Sequence, residues 1–427
     1  MNMEAVTADV IGDIAIVLGA SSLLGAFARR LGQPTVIGQI AAGIMLGPTL
    51  LGRLPGDPTH RLFTAEAVPL ISVIAQIAVV LFVFGVGYEI DLRSVRRYRR
   101  PVSLISVGAM LVPLALGSGI ALGMQRLSSF DGQHTNGRSF VLFFGVATSI
   151  TALPVLAAIV RERGLAGTPV GDVATSAAGL MDASAWLVLA AALAGTDAAG
   201  SRPWPATMAL LTGFVALMML AVRPVLMWWT RRPGAVLSSQ VSVALVLAAG
   251  AAWATASLGL HPIFGAFVAG LVMPRPAGAP DADVLRSMEQ AGGPLLPLFF
   301  VVTGLSINIG ALNASDAVLL AVTVVCGILG KVVVGFAMAC LGGLDRRQSA
   351  VIGALVNTRG LTELIVLNVG LGAGIIGGRL FTVLVLMALV TTAMTGPLVT
   401  AIDRRRTLLT PPSGQELVLA TGAQNYS

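Results

Sequence analysis

Charge is what this chain most lacks: 11% of its 427 residues are Asp, Glu, Lys or Arg, against roughly 25% in an ordinary soluble domain. With 56% of residues hydrophobic, that scarcity excludes a soluble globular protein and points to an all-α polytopic membrane protein. Cysteine is nearly absent. Cys326 and Cys340 share one apolar stretch, too far apart along a helix to be bridged, so a disulfide framework and cysteine metal sites are excluded. The three histidines are scattered, His60 and His134 in loops and His261 at the start of an apolar segment. No nucleophile motif, metal-ligand cluster or phosphate loop is present, which argues against an enzyme and against a bound cofactor. The stretch 1–14 contains Glu4, Asp9 and Asp13 but no base, and Arg29 and Arg30 follow the first apolar run. That order excludes a signal peptide and suits a first membrane helix with its N-terminus outside. The formal charge of +7 is no sign of nucleic-acid binding, because the bases sit in short clusters between apolar runs.

What the chain has is apolar length. At about 20 residues per crossing, about thirteen segments qualify: 9–29, 34–51, 68–89, 101–125, 139–160, 168–194, 205–230, 239–259, 261–274, 290–311, 315–342, 348–372 and 378–401. Arginine clusters follow the odd-numbered segments, as at Arg29 and Arg30, Arg96 to Arg100, Arg346 and Arg347, and Arg404 to Arg406, while the intervening loops hold scattered single arginines such as Arg53 and Arg379. The positive-inside bias therefore predicts an outside N-terminus and a cytoplasmic C-terminus. The stretch 407–427 is expected to be a short cytoplasmic tail with no regulatory domain.

An internal repeat emerges once the segments are numbered. Gly38-QIAA-Gly43-IML in segment two recurs as Gly265-AFVA-Gly270-LVM in segment nine, and LFVFGVGYEIDL (81–92) in segment three matches LFFVVTGLSINI (298–309) in segment ten. Both matches are seven segments apart. Seven is odd, so the second copy lies inverted in the membrane, as in secondary transporters whose sites sit near the midplane.

Four places carry chemistry. Segment five contains ATSITALP (147–154), where Thr148, Ser149 and Thr151 precede Pro154; segment twelve contains VNTRGLTEL (356–364), with Asn357, Thr358, Arg359 and Gly360 in mid-span. A proline that removes a backbone donor and hydroxyls that satisfy freed carbonyls suggest an interrupted helix at each place, though a kinked continuous helix fits the same residues. Segment six carries Asp182 inside SAAGLMDASAWLVLA (176–190). A carboxylate there costs about 2.5–3.5 kcal/mol on insertion scales, a cost that marks function. Asp182 can take a proton or a monovalent cation, and competition at one site suffices for exchange. Lys331 is the only lysine; set among Val, Leu and Gly in segment eleven, it needs a partner or a neutral state. Arg359 and Glu363, spaced i, i+4, suit an intrahelical pair with a structural role. Glu89 and Asp91, just before the cluster that starts at Arg93, suit interfacial salt bridges.

These motifs, with GQIAAGIMLGPTLLG (38–52), HPIFGAFVAGLVMP (261–274) and NTRGLTELIVL (357–367), together resemble the cation:proton antiporter-2 family of bacterial sodium/proton and potassium/proton exchangers over about residues 10–402. The resemblance implies thirteen helices in a sodium/proton antiporter fold with two crossed broken helices. It implies a transmembrane domain at 1–406, in which a mobile core (101–194 and 315–401) moves against a dimerisation scaffold (9–89 and 205–311). It places the ion-binding aspartate on Asp182, the threonine-serine step on Thr148 and Ser149, and the base of segment eleven on Lys331. The expected protein is a homodimer in the inner or plasma membrane, in contact with lipid, exchanging Na+ or K+ for protons. Asp182 would bind the transported ion, and no other metal is expected. One position departs from the family: Met181 stands where an Asp or Asn is usual. Lys331 thereby loses its expected partner, so it either turns to Asp182 or gives up its proton, and electroneutral exchange is expected. Met181 also keeps open a channel-like or sensing protein on the same scaffold. An exporter of a small organic cation or ionophore is a further alternative.

Overall fold

The structure, a computed structural model, describes residues 3–90, 92–126, 137–193, 204–230, 237–258, 261–275 and 279–402. Asp91, His134, Arg404 to Arg406 and the tail at 407–427 lie outside the described residues. All regular structure among the described residues is helical, and eleven helices are long and apolar enough to cross a membrane. The first half of the chain contributes α1 (Met3–Arg30), α2 (Thr35–Leu46), α3 (Ala67–Glu89), α4 (Arg99–Arg126), α5 (Gly137–Glu162) and α6 (Pro169–Leu193). The second half contributes α7 (Met208–Thr230), α8 (Leu237–Ser257), α9 (Pro262–Val272), α10 (Ala282–Ala311), α11 (Ala314–Leu341), α12 (Arg346–Leu355 and Leu361–Gly372) and α13 (Gly378–Ile402).

The ninth and twelfth expected crossings correspond to shorter apolar pieces. At 11 residues α9 is about 16 Å long, well under a hydrocarbon core of about 30 Å. Its ends are set locally. His261 Nδ1 accepts from the Ile263 N–H (3.5 Å), Pro262 takes the first helical position, where a missing N–H costs nothing, and the helix stops at Val272, two residues before Pro274.

Glycines decide how closely these helices approach. A Cβ on Gly38 of α2 would lie 2.2 Å from the Leu24 carbonyl oxygen of α1, and one on Gly265 of α9 would lie 2.0 Å from the Ala251 carbonyl oxygen of α8. Gly43 of α2 meets Gly304 of α10, where a Cβ on Gly304 would come within 2.4 Å of the Gly43 Cα; Gly270 of α9 meets α3, 2.1 Å from the Phe84 carbonyl oxygen. Small residues at these crossings bring backbones together, which is how helices gain packing energy in lipid. Gly270→Val is therefore expected to cost about 1–3 kcal/mol by overpacking. Thermal unfolding in detergent checks it, as a lower Tm than wild type.

Two packed groups result. Helices α1, α2, α3, α8, α9 and α10 contact one another, while α4 packs on α5 and α6, and α11 packs on α4, α12 and α13. Within the second group lie the two most enclosed stretches of the chain: every residue is buried from 143 to 153 in α5 and from 351 to 367 in α12. Gly117 of α4 leaves room for Thr148, whose Oγ1 would be 2.0 Å from a Cβ there.

Candidate functional site

Both enclosed stretches are interrupted helices. In α5 the first half ends at Ser149 and the second starts at Leu153, with Pro154 in its first turn, where proline is tolerated because the donor it lacks is not needed. In α12 the first half ends at Leu355 and the second starts at Leu361. Gly360 adopts φ 158° and ψ −127°, a conformation that side-chain-bearing residues rarely take. A Cβ there would also meet Val155 at 2.7 Å. The two interruptions are joined: the Ala152 N–H donates to the Thr358 carbonyl (3.0 Å) and the Thr151 hydroxyl to the Val356 carbonyl (2.9 Å). Backbone groups freed by one broken helix are thus satisfied by the other, as they must be away from water.

The broken ends of α5 carry opposite partial charges, and each has drawn the matching side chain. Its first half ends in the carbonyls of Ala147, Thr148 and Ser149, at the negative end of the helix dipole. Arg359 Nη1 donates to Ala147 (3.0 Å), Arg359 Nη2 donates to Thr148, and Lys331 Nζ donates to Ser149. Its second half begins at Leu153, whose N–H donates to Asp182 Oδ2 (3.2 Å). A carboxylate belongs at such a helix N-terminus. Asp182 is fully buried, and its Oδ1 has no partner among the described residues.

Lys331 lies in a π-helical turn of α11, Leu329–Val333, an irregularity often found at functional sites. Besides Ser149 it donates to Thr151 Oγ1 (2.7 Å) and approaches Met181 Sδ (3.9 Å). Among the described residues it forms no ion pair, so the turn towards Asp182 left open by the sequence is not taken. The Ser149 carbonyl and the Thr151 hydroxyl take the place of the missing acidic neighbour.

The remaining expected residues divide. Arg359 and Glu363 form the ion pair their spacing suggests (3.1 Å), with both side chains fully buried. Thr148 Oγ1 lies within reach of the carbonyls of Gly145 (2.9 Å), Phe144 (3.1 Å) and Pro113 (3.2 Å), and Ser149 Oγ donates to Val146 (2.9 Å). Neither hydroxyl bonds Asp182. Asn357 Nδ2 donates to the Thr391 carbonyl of α13 (3.1 Å). Glu89 pairs with Arg161 (3.8 Å), reaching from α3 to α5. Both line a cavity of about 400 Å³ that also reaches Leu153, the residue whose N–H holds Asp182. The sequence carries no signal that Arg359 caps α5, a contact between residues 212 positions apart.

Residues 17–403 match the family described as sodium/hydrogen exchanger, transmembrane. The chain belongs to the sodium/hydrogen exchanger family. Among its relatives are Cation/H(+) antiporter 20 of Arabidopsis thaliana, 35% identical over 91% of this chain, and Na(+)/H(+) antiporter NhaS4 of Synechocystis, 33% identical over 92%. The chain spans about half the length of the plant relative, 48%, and 97% of the cyanobacterial one. The solved structure of the sodium proton antiporter MjNhaP1 from Methanocaldococcus jannaschii shares the fold, with TM-score 0.65 and 15% identity over 95% of this chain and 99% of that one. In this exchanger-family chain no group of three or more His, Cys, Asp or Glu is placed to hold a metal ion among the described residues.

Proposed function

We propose that the chain is a secondary antiporter that exchanges Na+ or K+ for protons by alternating access, with Asp182 as the shared proton and cation site. The observation that carries this reading is a fully buried carboxylate held through one oxygen by a helix N-terminus, its other oxygen unpartnered, beside the end of a cavity. A proton or a desolvated monovalent cation satisfies that oxygen equally, and occupancy by one excludes the other. The names of the relatives, a cation/H+ antiporter and an Na+/H+ antiporter, support the same chemistry.

The architecture proposed around the site has thirteen crossings, an outside N-terminus and a cytoplasmic C-terminus in the plasma membrane, and two inverted repeats. The glycine contacts favour the repeats: α2 meets α1 through Gly38 and α10 through Gly43, while α9 meets α8 through Gly265 and α3 through Gly270. Adding seven to each helix number turns the α2 contacts with α1 into the α9 contacts with α8, and the partners α3 and α10 are exchanged in the same way. The two packed groups favour a moving core of α4 to α6 and α11 to α13 against a scaffold built from the others; the proposed assembly is a homodimer joined through two such scaffolds.

The exchange is electroneutral in this proposal. Lys331 is bound to Ser149 and Thr151, leaving Asp182 as the single carrier, and one carboxylate trading one proton for one cation moves no net charge. Two results are expected in proteoliposomes. Cation-driven proton flux saturates, and clamping the membrane potential leaves its rate unchanged; a rate that tracks the potential refutes the stoichiometry. Because proton and cation compete, the apparent cation KM rises as pH falls, approaching about tenfold per unit where the protonated form predominates. A KM independent of pH refutes a shared site.

A further inference from the structure

Several side-chain oxygens lie around the two helix breaks, and the structure separates those already engaged from those left free. On α5 the hydroxyls of Thr148 and Ser149 are turned to backbone carbonyls, and that of Thr151 links Lys331 to Val356. Among the fully buried oxygens with no partner among the described residues are Asp182 Oδ1 on α6, Thr358 Oγ1 and Asn357 Oδ1 in the break of α12, and Glu363 Oε2 in the half-helix that follows, whose other oxygen is paired with Arg359. Buried polar atoms in native proteins are rarely left unpaired, because each unpaired group forfeits its hydration without compensation. Several such acceptors in one enclosed region point to a ligand that accepts electron pairs.

Backbone hydrogen bonds bring Thr358 and Asp182 against neighbouring residues of α5. The Thr358 carbonyl accepts the Ala152 N–H (3.0 Å), and Asp182 accepts the N–H of the very next residue, Leu153 (3.2 Å). Threonine and aspartate are thus held on successive donors of one turn of chain. The adjacent Arg359 guanidinium is directed elsewhere, to Glu363 and the carbonyls of Ala147 and Thr148. Neutral oxygen ligands alongside a single carboxylate suit a hard monovalent cation, since the site then becomes neutral when filled.

We propose that Thr358, on α12, supplies the hydroxyl ligand of the cation bound at Asp182 and sets its selectivity, in place of the α5 hydroxyls of Thr148 and Ser149. This rests on Asp182 being the transport site.

The test combines transport with a binding readout that a purely structural role would not move. Wild type, Thr358→Val, Thr358→Ser and Thr148→Ala are reconstituted, and initial proton fluxes are measured against NaCl and KCl. In detergent, the rise in Tm on adding NaCl or KCl is recorded against choline chloride. Thr358→Val keeps the shape and loses the oxygen. It is expected to raise the cation KM about tenfold, to change the Na+ to K+ preference and to abolish the cation-induced Tm rise, while Thr358→Ser restores both. Thr148→Ala is expected to raise KM less than Thr358→Val. A wild-type KM and Tm response in Thr358→Val, or a larger KM rise in Thr148→Ala, overturns the assignment. If Thr358→Val does not fold, Thr358→Ala decides: a folded alanine variant with a raised cation KM and no cation-induced Tm rise supports the assignment, and one with wild-type KM and Tm response overturns it. Absence of cation-dependent flux in wild type would instead refute the transport reading; the Tm response then decides the ligand question alone.

Discussion

Asp182→Asn is expected to reduce cation-dependent dissipation of a pH gradient in proteoliposomes to the level of protein-free vesicles. The amide is nearly isosteric with the carboxyl group, and its oxygen can still accept the Leu153 N–H, so the junction between α6 and the second half of α5 is kept. What is lost is the charge. An amide neither takes up a proton near neutral pH nor balances a cation in an enclosed site, so neither half of the exchange remains. Because the change removes an expensive buried carboxylate, Tm is expected to hold or rise. Retained transport in a folded Asp182→Asn protein would refute the site assignment, and a fall in both transport and Tm would make Asp182 structural.

The largest loss of stability is expected from Arg359→Met. This guanidinium is fully buried, pairs with Glu363 at 3.1 Å and caps the carbonyls of Ala147 and Thr148. Removing it strands an enclosed carboxylate and exposes the end of a half-helix to an apolar interior. Breaking a buried pair from one side costs about 3–5 kcal/mol, seen as a large fall in Tm or in monodisperse yield from detergent. Changing both partners, Arg359→Met with Glu363→Leu, removes the stranded charge and is expected to recover part of the loss. The carbonyls stay uncapped, so recovery is incomplete. A single variant as stable as wild type would show that the pair contributes nothing to holding the two broken helices together.

The interrupted helices illustrate how far a sequence can be read. Pro154 and the run Asn357-Thr358-Arg359-Gly360 announce trouble for a helix through rules that act within a few residues: a missing donor, a ring that clashes with the preceding turn, and a glycine free to take φ 158°. The same is true of α9, bounded by Pro262 and Pro274, and of the i, i+4 pair of Arg359 and Glu363. The partners of Lys331 were not legible. Its isolation showed that it needed one, and Met181 showed that the usual one was missing, but the turn towards Asp182 that the sequence offered is not taken. Lys331 turns instead to a helix end formed 182 residues earlier in the chain.

By itself the sequence determined that this is a multi-pass helical membrane protein of exchanger type, where its helices are liable to kink or break, and that Asp182, Lys331 and Arg359 must be accounted for in an apolar setting. These are properties of single segments, set by composition, apolar length and backbone chemistry. Tertiary structure alone decided which side chain serves which helix end: both cations on the carbonyls of one half of α5, the carboxylate on the first N–H of the other, and free oxygens on α6 and α12. Those pairings depend on which helices meet in space, and a charge enclosed away from water takes whatever partner the packing of distant segments puts within reach.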